Sequence, residues 1–132
     1  MINSLRFIFL VLLFSSCSEY QKMLKNPDSG LKYAMSENLY KKGKYKKALK
    51  LMEQIVPVYR GKPQAEKLMF MYADTYYKLE DYYLSGYQFE RFAASYPKSD
   101  SVETAAYYSA SSYYELLFQK HFYIHLHYLH TT

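Results

Sequence analysis

The stretch Ala73-Asp74-Thr75-Tyr76-Tyr77-Lys78 returns 37 residues later as Ala110-Ser111-Ser112-Tyr113-Tyr114-Glu115, and 37 residues earlier the register falls on Ser36-Glu37-Asn38-Leu39-Tyr40-Lys41. The downstream halves agree too: Lys44-Tyr45 answers Asp81-Tyr82, and Val58-Tyr59 answers Ser95-Tyr96. A fixed period in the thirties with helical spacing inside each unit restricts the chain to a solenoid of helix–turn–helix units. Small residues fall where two helices must approach closely, at Ser36, Ala73 and Ala110 on one helix and at Ala48 and Ser85 on the next. Bulky residues follow at i, i+3, i+4 and i+7, as in Leu49, Met52, Ile55 and Val56.

This pattern resembles the tetratricopeptide repeat, lengthened by three residues between units. The expected fold is all-α, a right-handed solenoid of antiparallel helix pairs with about two and a half repeats. The helices are predicted over Leu31 to about Lys42, Tyr45–Tyr59, Gln64–Leu79, Tyr82–Tyr96 and Val102 to about Leu117, with Gly43 closing the first. Gly86, inside the fourth, reads as a close-packing position. The linkers are Arg60-Gly61-Lys62-Pro63 and Pro97-Lys98-Ser99-Asp100-Ser101. The third unit's lone helix is expected to cap the array through Ala106, Ala110 and Tyr113. A length of 132 residues suits one domain, and 18 Tyr with no Trp suit helix seams packed by tyrosine.

The N-terminus has a different character. Arg6 precedes the apolar run Phe7–Phe14, and Ser15-Ser16 lead to Cys17, the sole cysteine. This is the layout of a secretory signal peptide over 1–16, with an apolar core too short to span a bilayer. A single cysteine after small residues resembles the bacterial lipoprotein signal, with Phe14 where that family usually has Leu. The resemblance implies a diacylglycerol on the Cys17 sulfur, and Ser18 in place of Asp implies outer-membrane delivery. Residues 17–30, which hold the breaker cluster Asn26-Pro27-Asp28-Ser29-Gly30, are expected to tether the repeats of 31–117 off the membrane.

After Leu117 the repeat pattern stops. Residues 118–132 hold all four His, no small residue where a second helix needs one, and no capping residue. They read as an aberrant or truncated tail, mobile or loosely packed.

The lipoprotein signal, Ser18-Glu19-Tyr20-Gln21-Lys22, Tyr59-Arg60-Gly61 and Arg91-Phe92-Ala93-Ala94-Ser95-Tyr96-Pro97-Lys98-Ser99 together resemble the BamD family, Bacteroidetes type. These are tetratricopeptide lipoproteins of the outer-membrane β-barrel assembly machinery. The resemblance covers Cys17 to about Leu117, the N-terminal half of a family with about five repeats. It implies a lipid-anchored position on the periplasmic face of the outer membrane. The implied partners are unfolded barrel precursors and machinery subunits, although docking on the central barrel subunit is assigned to the C-terminal repeats. The alternatives are another periplasmic repeat lipoprotein that binds peptides or envelope components, and a gene fragment without function.

The candidate binding face is a ladder. Tyr33, Glu37, Tyr40 and Lys41 share one helix face, and the repeat maps them to Phe70, Asp74, Tyr77 and Lys78, then to Tyr107, Ser111, Tyr114 and Glu115. Peptide contact is assigned to Tyr33, Glu37, Tyr40, Phe70, Asp74, Tyr77, Tyr107 and Tyr114, where an extended aromatic-rich segment can stack. The competing reading is that these rings only pack between helices. Charge is divided along the chain: Cys17–Lys62 carries eleven Lys and Arg against four Asp and Glu, whereas Pro63–Glu115 carries four against eight. The lysines from Lys41 to Lys50 suit anionic headgroups, an acidic partner or a solvated helical turn, and nucleic acid is not expected for an exported chain. No paired carboxylates or nucleophile with a base point to an enzyme. The tail histidines lack the further ligands of a metal site, so neither metal nor cofactor is expected.

Overall fold

The computed structural model describes residues 19–130, with side chains as far as 122. The signal peptide and Cys17 lie outside the described residues. All described elements are helices: α1 (19–25), α2 (Ser29–Lys41), α3 (Tyr45–Tyr59), α4 (Ala65–Lys78), α5 (Tyr82–Ser95) and α6 (Val102–His130). From α2 onward each packs on the next, which is the helical repeat expected from the 37-residue period. No described helix is long and apolar enough to cross a membrane.

The boundaries follow from local chemistry. Asp28 caps α2, its carboxylate accepting from the Gly30 and Leu31 N–H groups at 2.7 and 3.0 Å. The α2 end is a Schellman closure: Gly43 sits at φ +68°, its N–H donates to the Tyr40 carbonyl at 2.9 Å, and the Lys44 N–H reaches the Leu39 carbonyl at 2.8 Å. One repeat later the same two bonds run from Glu80 to Tyr77 and from Asp81 to Tyr76, at 3.0 Å each. The residue in the left-handed conformation there is Glu80, at φ 61°, where a side chain crowds the backbone. Glu80→Gly is therefore expected to stabilise the protein by about 1 kcal/mol. An unchanged midpoint in urea unfolding would show that Glu80 carries no strain.

The third copy of this closure falls on Leu117, and it does not form. Neither Gly nor a capping residue is present, the next position being Phe118 where the second repeat has Asp81, so α6 continues to His130. The helix thus overruns the boundary expected at about Leu117. Leu117, Phe118 and Phe122 are exposed on it.

Two buried clusters hold the array together. Ala48, Met52, Ile55, Tyr59, Ala65, Leu68 and Met71 join α3 to α4, and Ala73, Phe89, Phe92 and Ala105 join α4, α5 and α6. Ser36, Ala48, Ala73 and Ser85 are all fully buried, as close-approach positions must be. Ser85 Oγ donates to the Ala73 carbonyl at 3.3 Å. Gly86 is a close approach as well: a Cβ there would stand 3.0 Å from the Tyr113 ring, and Ser109 Oγ donates to its carbonyl at 3.1 Å. The cap on the array differs from the expected one. Ala106 and Ala110 are exposed, and Ala105, Ser109 and Ser112 form the buried face beside Tyr113. These positions are one period on from Leu68, Tyr72 and Thr75 of α4, so α6 keeps the α4 orientation, and among the described residues no following helix covers Ala110.

Candidate functional site

The eight ladder residues separate by environment. Tyr40 donates from its hydroxyl to Asp74 Oδ2 at 2.5 Å, linking α2 to α4. Its counterpart Tyr77 shares a hydrogen bond with Ser111 Oγ at 3.2 Å, linking α4 to α6. Both partners advance by the 37-residue period, so this is one latch used twice between first helices of neighbouring repeats. Asp74 is buried, and burial, then the hydrogen bond from its own hydroxyl to Asp74, pushes the Tyr40 phenol well above its ordinary value of 10.0. The hydroxyl therefore stays protonated and donating at any physiological pH.

A parallel latch joins second helices to the next first helices. Tyr76 reaches Glu53 at 3.5 Å, and Tyr113 reaches Glu90 at 3.0 Å, again 37 residues apart. Tyr76 also shares a hydrogen bond with Tyr72 at 2.9 Å. Burial, then that hydrogen bond, raises the Tyr76 phenol. Serial tyrosine hydroxyls thus satisfy half-buried polar groups along the seams, where an unpaired one would be costly. The sequence contained the signal for these latches, since donor and acceptor recur together, but the period alone did not say which pairs meet.

The remaining ladder residues have other surroundings. Tyr33 stacks on Tyr59 with centroids 5.3 Å apart. Phe70 meets Phe89 and Phe92 edge-on at 5.4 and 5.3 Å, within the second cluster. Glu37 takes Lys41 at 2.9 Å and Lys67 at 2.8 Å, and hydrogen bonds from Lys67 and then Lys41 hold its carboxyl below the usual carboxylate range. Tyr107 and Tyr114, on α6, are 67% and 66% exposed. Tyr114 is the third copy of Tyr40 and Tyr77 in the repeat register. Geometry therefore gives Tyr40, Phe70, Asp74 and Tyr77 packing roles, and leaves Tyr107 and Tyr114 presenting their rings to solvent. Among the described residues, no group of three or more His, Cys, Asp or Glu is placed to hold a metal ion.

By sequence Glu19–Lys25 suits a helical turn or two, but its docking carries no signal in the spacing. Residues 19–25 are a docked helix: Tyr20 is 8% exposed, and its hydroxyl donates to the Lys47 carbonyl of α3 at 3.1 Å. The lead-in is continuous with the repeats and is not a loose spacer over that stretch.

The repeat geometry agrees with a comparison against known families. A family model described as outer membrane lipoprotein, YfiO, matches residues 26–124. The chain belongs to this outer membrane lipoprotein family. The YfiO match begins just before α2 and runs into α6 beyond Leu117, so it takes in both whole helix pairs and most of the last helix. No curated protein matches the chain.

Proposed function

We propose that this YfiO-family chain is acylated on Cys17 and stands at the periplasmic face of the outer membrane. There it serves as a non-enzymatic scaffold of the β-barrel assembly machinery, contacting unfolded barrel precursors and partner subunits. The observation that supports this reading is the family match across the whole helix-pair array, preceded by a sequence with the layout of a lipoprotein signal. A repeat array held by stacked latches keeps its outer rings fixed relative to one another, so a client meets a preformed surface. On α6 the exposed rings of Tyr107 and Tyr114 are one repeat register beyond Phe70 and Tyr77, and they are the ladder positions assigned to client contact.

The test has two arms. Labelled fatty acid should be incorporated into the full chain, and Cys17→Ala should abolish the label and release the protein from membranes. The wild type should also co-purify with a large barrel subunit or an unfolded barrel precursor, and capture of precursor should drop in Tyr107→Ala/Tyr114→Ala. An unlabelled, freely soluble wild type refutes the anchor. Stable labelling with capture of envelope peptides alone refutes the assembly role and leaves an adaptor.

A further inference from the structure

The docked α1 helix changes what the N-terminal lysines can reach. Only Ser18 lies between Cys17 and Glu19, the first helical position described, and two residue steps of chain span at most about 7 Å. An acyl group on Cys17 therefore holds the start of α1 at the headgroup level, and α1 does not swing freely. Tyr20 is buried against α3, and Lys47 Nζ lies 5.1 Å from the centre of its ring. The α2–α3 turn is fixed beside the anchor by the same contacts. Glu19, Tyr20 and Met23 of α1 share a groove of about 450 Å³ with Lys42, Lys44 and Lys47. Lys41, Lys42, Lys44, Lys46 and Lys50 are all exposed on and around this turn. Among them the described ion pair is that of Lys41 with Glu37.

We propose that this lysine-bearing flank, formed by α1 and the α2–α3 turn, seats directly on anionic phospholipid headgroups and sets the angle at which the repeats leave the membrane. The proposal rests on the lipoprotein reading above. Charge complementarity selects the occupant: the first repeat and lead-in carry eleven basic against four acidic residues, whereas the second repeat and the start of α6 carry four against eight. The basic end is tied to the bilayer, and the acidic end is carried away from it. Attraction of this kind acts within about 10 Å at 0.1 M salt, a distance comparable with the short link from Cys17 to α1.

The experiment uses the acylated full chain on vesicles of phosphatidylcholine, with or without phosphatidylglycerol. Lysine reactivity toward a membrane-impermeant amine reagent is read by mass spectrometry. Lys42, Lys44 and Lys46 should lose reactivity several-fold on the anionic vesicles, while Lys98, in the linker before α6, stays unchanged. The protection should vanish at 1 M salt, where the screening length falls to about 3 Å. In Lys42→Gln/Lys44→Gln/Lys46→Gln/Lys50→Gln, which alters exposed side chains only, Lys47 should react equally on both vesicles. Equal reactivity of the wild-type lysines on both vesicles, with Cys17 acylated, overturns this proposal alone. Protection that needs outer-membrane proteins in the vesicles also overturns it and assigns the lysines to an acidic protein. Absence of an acyl group on Cys17 overturns both this proposal and the anchor.

Discussion

Phe89→Ala is expected to cost about 3–5 kcal/mol, the range for deleting a buried aromatic side chain. Phe89 is fully buried. It meets Phe70 of α4 edge-on at 5.4 Å and stacks on Tyr108 of α6 at 5.4 Å and 19°. A single ring on α5 thus joins three consecutive helices. In an array whose stability is a sum over units and interfaces, its loss strikes both interfaces of α5 at once. Domains of this size hold only about 5–15 kcal/mol in total. The variant should therefore unfold at much lower urea, read by helical circular dichroism. Tyr83→Ala serves as the control, because Tyr83 is 64% exposed and should change stability by less than about 0.5 kcal/mol. Equal midpoints for the two variants would mean that Phe89 is not the keystone its contacts indicate.

Ala73→Leu is expected to cost about 1–3 kcal/mol by overpacking. Ala73 is fully buried in the cluster with Phe89, Phe92 and Ala105, and Ser85 of α5 hydrogen-bonds to its carbonyl. Three added carbons must separate α4 from α5 or force rotamers off their minima. Ala110→Leu makes the same change one repeat later, at an exposed position, and should stay within about 0.5 kcal/mol of wild type. The contrast matters more than either value, because the two alanines are equivalent in the repeat and differ only in whether a second helix covers them. Matching losses in the two variants would show that something packs on Ala110.

Much of the array was legible in the chain itself. The period located four helices to within a few residues, since each apolar stripe lies at helical spacing and each interruption carries Gly, Pro or Asp. Ser36, Ala73, Ala48 and Ser85 marked the close approaches because no larger side chain fits where two backbones meet. The face of a tyrosine was legible as well, but not its use. Tyr40, Tyr77 and Tyr114 are equivalent by register, yet the first two hydrogen-bond to the first helix of the next repeat and the third is 66% exposed. That difference depends on whether another helix stands opposite, which no local pattern encodes.

Sequence by itself determined the repeat, the helix pairs and the division of charge, because these depend on spacing and composition within one unit. Tertiary structure decided three other things. It seated α1 on α3 through Tyr20 and Lys47, a contact 27 residues apart with no periodic signature. It buried Ala105, Ser109 and Ser112 against α5 and left Ala106 and Ala110 exposed, because among the described residues no second helix follows α6. It also carried α6 past Leu117 to His130. A helix stops where leaving it is easier than continuing, and Gly43 and the Asp81 cap supply that exit in the first two repeats. Leu117 and Phe118 supply neither a left-handed residue nor a side-chain acceptor, so the backbone keeps its i to i−4 hydrogen bonds and the helix goes on.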